Sequence, residues 1–175
     1  TRGFRSGGYN FRITEPAAFE AIALAPGGSF NFDEEQVDNF EIGGKFQTSD
    51  GALTVNAAVY LTKIDDMQRE VNQSSPTAGV SQFILNTADA EILGFEAEGR
   101  ARVTDNLIFT ANLGIIDDDY KSVAFDISSD GAIDDADTAL RLPRVPEITW
   151  GVGLIHELIL PAGAIVSRVN YQFRD

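Results

Sequence analysis

From Leu53 onward, Leu53, Val55, Ala57, Val59 and Leu61 alternate with Thr54, Asn56, Ala58, Tyr60 and Thr62. A period of two needs a strand with two unlike faces, since a helix repeats every 3.6 residues. Upstream, Phe40, Ile42, Gly44 and Phe46 alternate with Glu41, Gly43, Lys45 and Gln47, and Thr48-Ser49-Asp50-Gly51 joins the two runs with an Asp-Gly turn signal. Residues 40–71 therefore predict one long hairpin. Its clean alternation lasts nine residues, Leu53 to Leu61, about what a tilted strand needs to cross the hydrocarbon core of a bilayer. Beyond Thr62 the strand propensity continues to Val71, but Lys63, Asp65, Asp66, Arg69 and Glu70 occupy both faces.

The same pattern recurs downstream. Phe95, Ala97, Gly99, Ala101 and Val103 alternate with Glu96, Glu98, Arg100 and Arg102 inside a strand region from Val80 to Val103. Leu107, Phe109, Ala111, Leu113 and Ile115 alternate with Ile108, Thr110, Asn112, Gly114 and Ile116. Ile148, Trp150, Val152, Leu154, His156 and Leu158 form the next stripe, and Ile165, Ser167, Val169, Tyr171 and Phe173 the last. Gly3 to Ile13 reads as a glycine-punctuated strand. Glu15-Pro16 and Pro26-Gly27-Gly28 are the start and stop signals of a short helix between them.

Alternation alone does not separate a soluble β-sandwich from a membrane barrel, whose strands hide a polar face in the lumen. The connections do. They run long, short, long, short: 14–39, 48–51, 72–79, 104–106, 124–146 and 161–163. Tight turns at one rim and long loops at the other are the design of an up-and-down membrane barrel. Charge follows the same division: residues 14–39 hold six acids and no bases, 62–82 three acids and two bases, and 116–147 nine acids and three bases. These stretches carry nearly all of the net charge of −14. The reading is an all-β chain, an antiparallel up-and-down transmembrane β-barrel segment of about seven strands.

Composition adds exclusions. The acidic balance argues against a nucleic-acid partner, which needs a basic face. With no cysteine there is neither a disulfide framework nor a thiolate metal site. One histidine, His156, and no triad spacing leave catalysis without a base, and no cofactor is expected; its stripe suggests an interfacial position for His156. Arg5-Ser6-Gly7-Gly8 lacks the following helix that a phosphate-binding loop requires.

Several stretches together resemble the barrel of TonB-dependent outer-membrane receptors. They are GFRSGGYN at 3–10, Glu34 to Lys45 (EEQVDNFEIGGK), Asp65-Asp66-Met67-Gln68, Asn86-Thr87-Ala88 with Gly94-Phe95-Glu96, and Leu142-Pro143-Arg144-Val145-Pro146, in that order. The resemblance implies a barrel of twenty-two strands around a plug, taking up a scarce ligand such as a siderophore, cobalamin or oligosaccharide with energy from the TonB complex. Residues 1–175 would then be a partial barrel without its plug, in the bacterial outer membrane, with the long acidic loops extracellular and the tight turns periplasmic. Lipid, the plug and a small-molecule ligand are the expected partners.

On this reading Glu41, Lys45, Asn56, Tyr60, Glu96, Glu98, Arg100 and Arg102 face the lumen. In the long acidic loop, Asp130, Asp134, Asp135 and Asp137 are candidates for ligand or calcium contact, since hard cations want several carboxylate oxygens. Two other readings stay open from the residues alone: a passive porin-type channel, and a soluble β-rich binding module with a calcium-ordered loop face.

Overall fold

A computed structural model of the chain describes residues 1–10, 30–75 and 79–175, the side chains of 73–75 and 79–81 excepted. The helix expected between Glu15 and Pro26 lies outside the described residues. Among the described residues nine strands are seen: β1 (Arg2–Arg5), β2 (Gly8–Tyr9), β3 (Asn31–Phe32), β4 (Glu35–Gln47), β5 (Leu53–Ser75), β6 (Gly79–Thr104), β7 (Leu107–Val123), β8 (Ile148–Leu160) and β9 (Gly163–Arg174). Seven form one sheet in the order β1-β4-β5-β6-β7-β8-β9, and β2 and β3 form a separate two-stranded ribbon. From β4 on, each strand lies beside the next in sequence, the up-and-down order predicted. The sheet does not close on itself; β1 and β9 are its edges.

Register turns the alternation into two faces. Across β7, β8 and β9, Phe109 pairs with Leu154 and Leu154 with Val169, while one step on Thr110 pairs with Gly153 and Gly153 with Asn170. A one-residue slip would exchange the two rows, so the pattern specifies the pairing. Thr48 to Ala52 makes the first tight turn: the Thr48 amide donates to the Leu53 carbonyl at 3.0 Å, and Gly51 takes a left-handed φ of 66°. Only two residues separate β6 from β7, and two separate β8 from β9.

The chain divides into two compact units. The loop unit comprises Thr1–Asn39, Thr62–Ile92 and Asp118–Pro143, and so contains the long connections. The strand unit comprises Phe40–Leu61, Leu93–Asp117 and Arg144–Asp175, and contains the tight turns. Among the described residues, the buried apolar side chains are Phe83, Leu85, Ala88, Ala90, Tyr120 and Leu142, every one in the loop unit. Phe83 and Leu85 form its core with Phe30, Val71 and Phe125.

The strand unit has no such core. Its apolar row stands in the open: Ile42, Val59, Trp150, Leu154, Val169 and Tyr171 are all exposed, Val169 to 70%. Among the described residues no second sheet covers them. A soluble domain does not leave a continuous apolar face of this extent uncovered.

Element boundaries differ from expectation in the loop unit. Asn72 to Ser75 and Gly79, expected in a loop, are strand, because backbone pairing propagates through polar residues once neighbours are in register. Strand β4 starts at Glu35 rather than Phe40, where charge pairs replace apolar alternation: Arg2 forks onto Asp38 at 2.7 Å and Arg5 reaches Glu35 at 3.1 Å. The first strand stops at Arg5, and Gly8–Tyr9 pairs with Asn31–Phe32 instead. Between them Gly7 lies so close to the Phe32 carbonyl that a Cβ would stand 2.5 Å from its oxygen, which explains a glycine there without any phosphate.

Candidate functional site

The polar row of the strand unit contributes to the lining of an open hollow of about 750 Å³. Strand β4 supplies Glu41 and Lys45, β5 Asn56, and β6 Glu96 and Glu98. Five of the eight residues expected to face a lumen are thus brought together. Glu98 is oriented by Asn56, whose side-chain amide donates to Oε1 at 2.7 Å. An adjoining hollow of about 410 Å³ takes in Arg100, again with Asn56 and Glu98. Acids and bases intermix along this surface, so it suits hydrogen bonding to a polar partner better than attraction of one charge sign.

Two further expected residues have contacts of their own. Tyr60 lies over Gly94 of the neighbouring strand, in space that any Cβ at Gly94 would occupy. Arg102 turns to the Thr48–Ala52 turn, where its guanidinium donates to the Asp50 carbonyl at 3.0 Å. Conversely, Asn112, Thr149, Gln172 and Arg174 line the larger hollow without having been singled out. They sit on the predicted polar parity, and that parity was the signal. Glycines make room for them. A Cβ on Gly151 would stand 2.7 Å from Asn112 Oδ1, and one on Gly114 2.7 Å from Thr149 Oγ1.

On the opposite face, Trp150 packs with Tyr171 and Phe173, ring centroids 5.3 and 5.9 Å apart, near the end of β8 that follows the long acidic connection. His156 belongs to the same face, level with Leu107 and Ser167.

The acidic connection is more folded than its composition suggests. A short helix, α1 (Asp135–Thr138), opens with Asp134 as N-cap in a capping box closed by Asp137. Asp137 is fully buried and accepts from the amides of Ile127 (2.8 Å), Ser128 (2.7 Å) and Asp134 (3.0 Å). Those bonds, the Asp134 amide foremost, hold its carboxyl below the usual aspartate range. Asp134 accepts from Ala136 at 2.8 Å and Asp130 from Ala132 at 2.9 Å; Asp135 lies in the first helical turn. Asp126, not among the candidates, accepts from Ser129 (2.6 Å) and Gly131 (2.8 Å). Of the carboxylates considered for calcium, those of Asp130, Asp134 and Asp137 are therefore occupied with their own backbone. Among the described residues no group of three or more acids or histidines is arranged to hold a metal ion.

The family model for the TonB-dependent receptor-like β-barrel matches residues 1–174. Solved structures agree in fold. The ferric yersiniabactin uptake receptor FyuA from Yersinia pestis superposes with a TM-score of 0.68 at 20% identity, over 99% of this chain and 22% of that one. The copper transporter OprC does so with a TM-score of 0.56 at 20% identity, over 89% and 20%. The FrpB iron transporter from Neisseria meningitidis (F3-3 variant) follows with 0.52 at 16%, over 79% and 19%. This chain spans about a fifth of the length of each. The up-and-down barrel class predicted from the alternating strands and their long-short connections is thus the fold it shares with them, and the chain belongs to the TonB-dependent receptor-like β-barrel family.

Proposed function

We propose that this chain is a stretch of the barrel wall of an outer-membrane active transporter. The apolar row of the strand unit lies against lipid, and the row carrying Glu41, Lys45, Asn56, Glu96 and Glu98 faces the lumen, where a plug packs against it. The long acidic connections stand outside the cell and the tight turns face the periplasm. The whole receptor takes up a scarce small ligand, a metal chelate or siderophore being the class its structural neighbours' names suggest, with energy delivered through the plug from the TonB complex.

The observation that carries this reading is the distribution of apolar side chains: among the described residues, buried ones belong to the loop unit, and most of the exposed ones of the strand unit follow one alternating row. The polar row suits a plug because its charges of both signs are spread over several strands, as a large hydrogen-bonded interface requires.

The test uses the intact receptor. Fractionation is expected to put it in the outer membrane, and planar-bilayer recording to show a closed barrel with negligible steady conductance. A large constant open-pore conductance would instead identify a passive channel, and recovery from the soluble fraction would remove the membrane reading.

A further inference from the structure

Around the tight turn between β8 and β9 the alternation of polar and apolar positions stops. Leu158-Ile159-Leu160-Pro161-Ala162-Gly163-Ala164-Ile165-Val166 runs for nine residues without a polar or charged side chain. On one face Leu158, Leu160 and Ile165 continue the apolar row. The other face is the polar one: β8 pairs with β9 from Thr149 and Arg174 to Leu160 and Gly163 without a bulge, so Ile155 and Ile159 share a face with Gly151 and Gly153. Cβ atoms on those two glycines would meet the side chains of Asn112, Thr110 and Asn170.

Apolar side chains therefore stand where the polar row would continue. Ile108 pairs with Ile155 and Ile159 with Ala164, while Val166 lies opposite Glu157 and Arg168 opposite Ile155. Ile159 is 67% exposed and Val166 64%. At the turn ends of β4 and β6 the same row holds Lys45, Gln47, Arg100 and Arg102, so the apolar stretch is confined to β7, β8 and β9. A strand with water on one face alternates, and a strand apolar on both faces is covered on both. Lipid accounts for one cover. It has no access to the lumen side, and in a barrel of this class the opposite wall is too far away to serve, because the lumen is wide enough to hold a plug.

We propose that Ile108, Ile155, Ile159 and Val166 form a dry seat for an aliphatic segment of the plug, at the tight-turn end of β7, β8 and β9. The seat rests on the transport reading above for its lumen and its plug, and adds which kind of contact is made where. This chain spans about a fifth of the transporters whose fold it shares, so a receptor of that length has ample chain beyond residues 1–175 to supply the cover. Over the two hollows the row offers Asn56, Glu98, Asn112 and Asn170, side chains suited to hydrated hydrogen bonds. At the seat it offers methyl groups, whose contact expels water. Glu157 and Arg168 border the seat with charges of opposite sign, which calls for a base and an acid on the plug beside its aliphatic segment.

The test uses the intact receptor with single cysteines, since residues 1–175 supply none, on a background without other reactive cysteines. Opened outer-membrane fragments are treated with a water-soluble maleimide, and Ser49→Cys, in an exposed turn, sets the rate of a water-facing site. Ile159→Cys and Leu158→Cys are both expected to react at least tenfold more slowly. A benzophenone amino acid at Ile159 is expected to crosslink to the receptor's own plug, read as a joined peptide pair by mass spectrometry, and the same group at Leu158 to lipid. Val166 serves as a second position with the expectations of Ile159, should one variant fail to fold. If Ile159→Cys and Val166→Cys react as fast as Ser49→Cys while Leu158→Cys stays slow, the lipid-facing wall stands and the seat is overturned. If Leu158→Cys is fast as well, the transport reading falls and the seat with it. Slow labelling with only lipid adducts, only adducts on another protein, or no plug adduct from Ile159 and Val166 overturns the seat equally.

Discussion

At the scale of single residues, what a side chain touches departs most from what its position in the pattern suggests. Tyr60 has the parity of a lumen residue, and its ring lies on Gly94 across the strands. Gly94→Ala puts a methyl group into that ring, and overpacking of this kind costs about 1–3 kcal/mol. The loss should be largely recovered in Gly94→Ala/Tyr60→Ala, a non-additivity readable in unfolding of the intact receptor. Asp137 carries a second expectation. Its folded-state pKa lies below that of the unfolded chain, so its contribution is fully present above about pH 4, the ordinary aspartate value, and is lost as pH falls through the folded one. Exchange protection of Ile127 and Ser128 should hold at pH 7 and fade on acidification below that value. In Asp137→Asn the protection should be weak at both pH values.

Asp66 has the opposite sign. Burial, then Asp89, Asp33 and Asp65, push its carboxyl above the usual range, so its charge disfavours the folded state at neutral pH. Asparagine tolerates the left-handed φ of 54° found there. Asp66→Asn is therefore expected to stabilise the protein slightly, with a benefit that shrinks as salt screens the neighbouring charges. A benefit independent of salt would leave burial of the carboxylate alone, without the neighbouring charges, as its cause.

At the scale of elements, the strand unit was readable because its two faces meet different surroundings, and a chain meeting that demand alternates. The parity of Phe109, Leu154 and Val169 against Thr110, Gly153 and Asn170 follows from this, as do the tight turns. The loop unit obeys no such rule. Glu35 to Asn39 is strand because Arg2 and Arg5 pair with Asp38 and Glu35, and an ion pair across 30 residues leaves no period to read. The acids of the 124–146 connection were visible as acids. That Asp126 and Asp137 would collect backbone amides was not, since composition does not say which donors a fold will turn towards a carboxylate. Gln68 shows how much one unremarkable polar residue can organise: buried on β5, it donates to the carbonyls of Ser6 (3.1 Å) and Asp33 (2.8 Å), while its own carbonyl accepts from Arg5 at 2.7 Å. Gln68→Ala takes the donor from the Ser6 carbonyl, while the Asp33 carbonyl keeps the Asn86 side-chain amide at 3.1 Å, and the loss is expected at about 1–3 kcal/mol. Faster exchange confined to β1, β2 and β3 should report it, with β8 and β9 unaffected.

At the scale of the whole molecule, the account rests on what touches the apolar row of the strand unit. On the proposed transport reading a bilayer supplies the missing apolar surroundings, and Trp150, Tyr171 and Phe173, clustered near the end next to the long connection, would fit the interfacial belt of such a barrel. The free edges at β1 and β9 call for further strands, since unpaired backbone groups are not tolerated in hydrocarbon. The most direct measurement is a spin-label accessibility scan of the intact receptor in lipid, with labels at Val55, Val152, Leu154 and Val169 and at Asn56, Thr110, Asn112 and Asn170. The first set is expected to collide with oxygen and be shielded from a water-soluble nickel chelate. The second should show the reverse preference, or protection from both where a plug covers it. If the first set meets the chelate as freely as surface residues do, or is shielded from oxygen as residues of a protein interior are, lipid does not cover that face and the account is wrong.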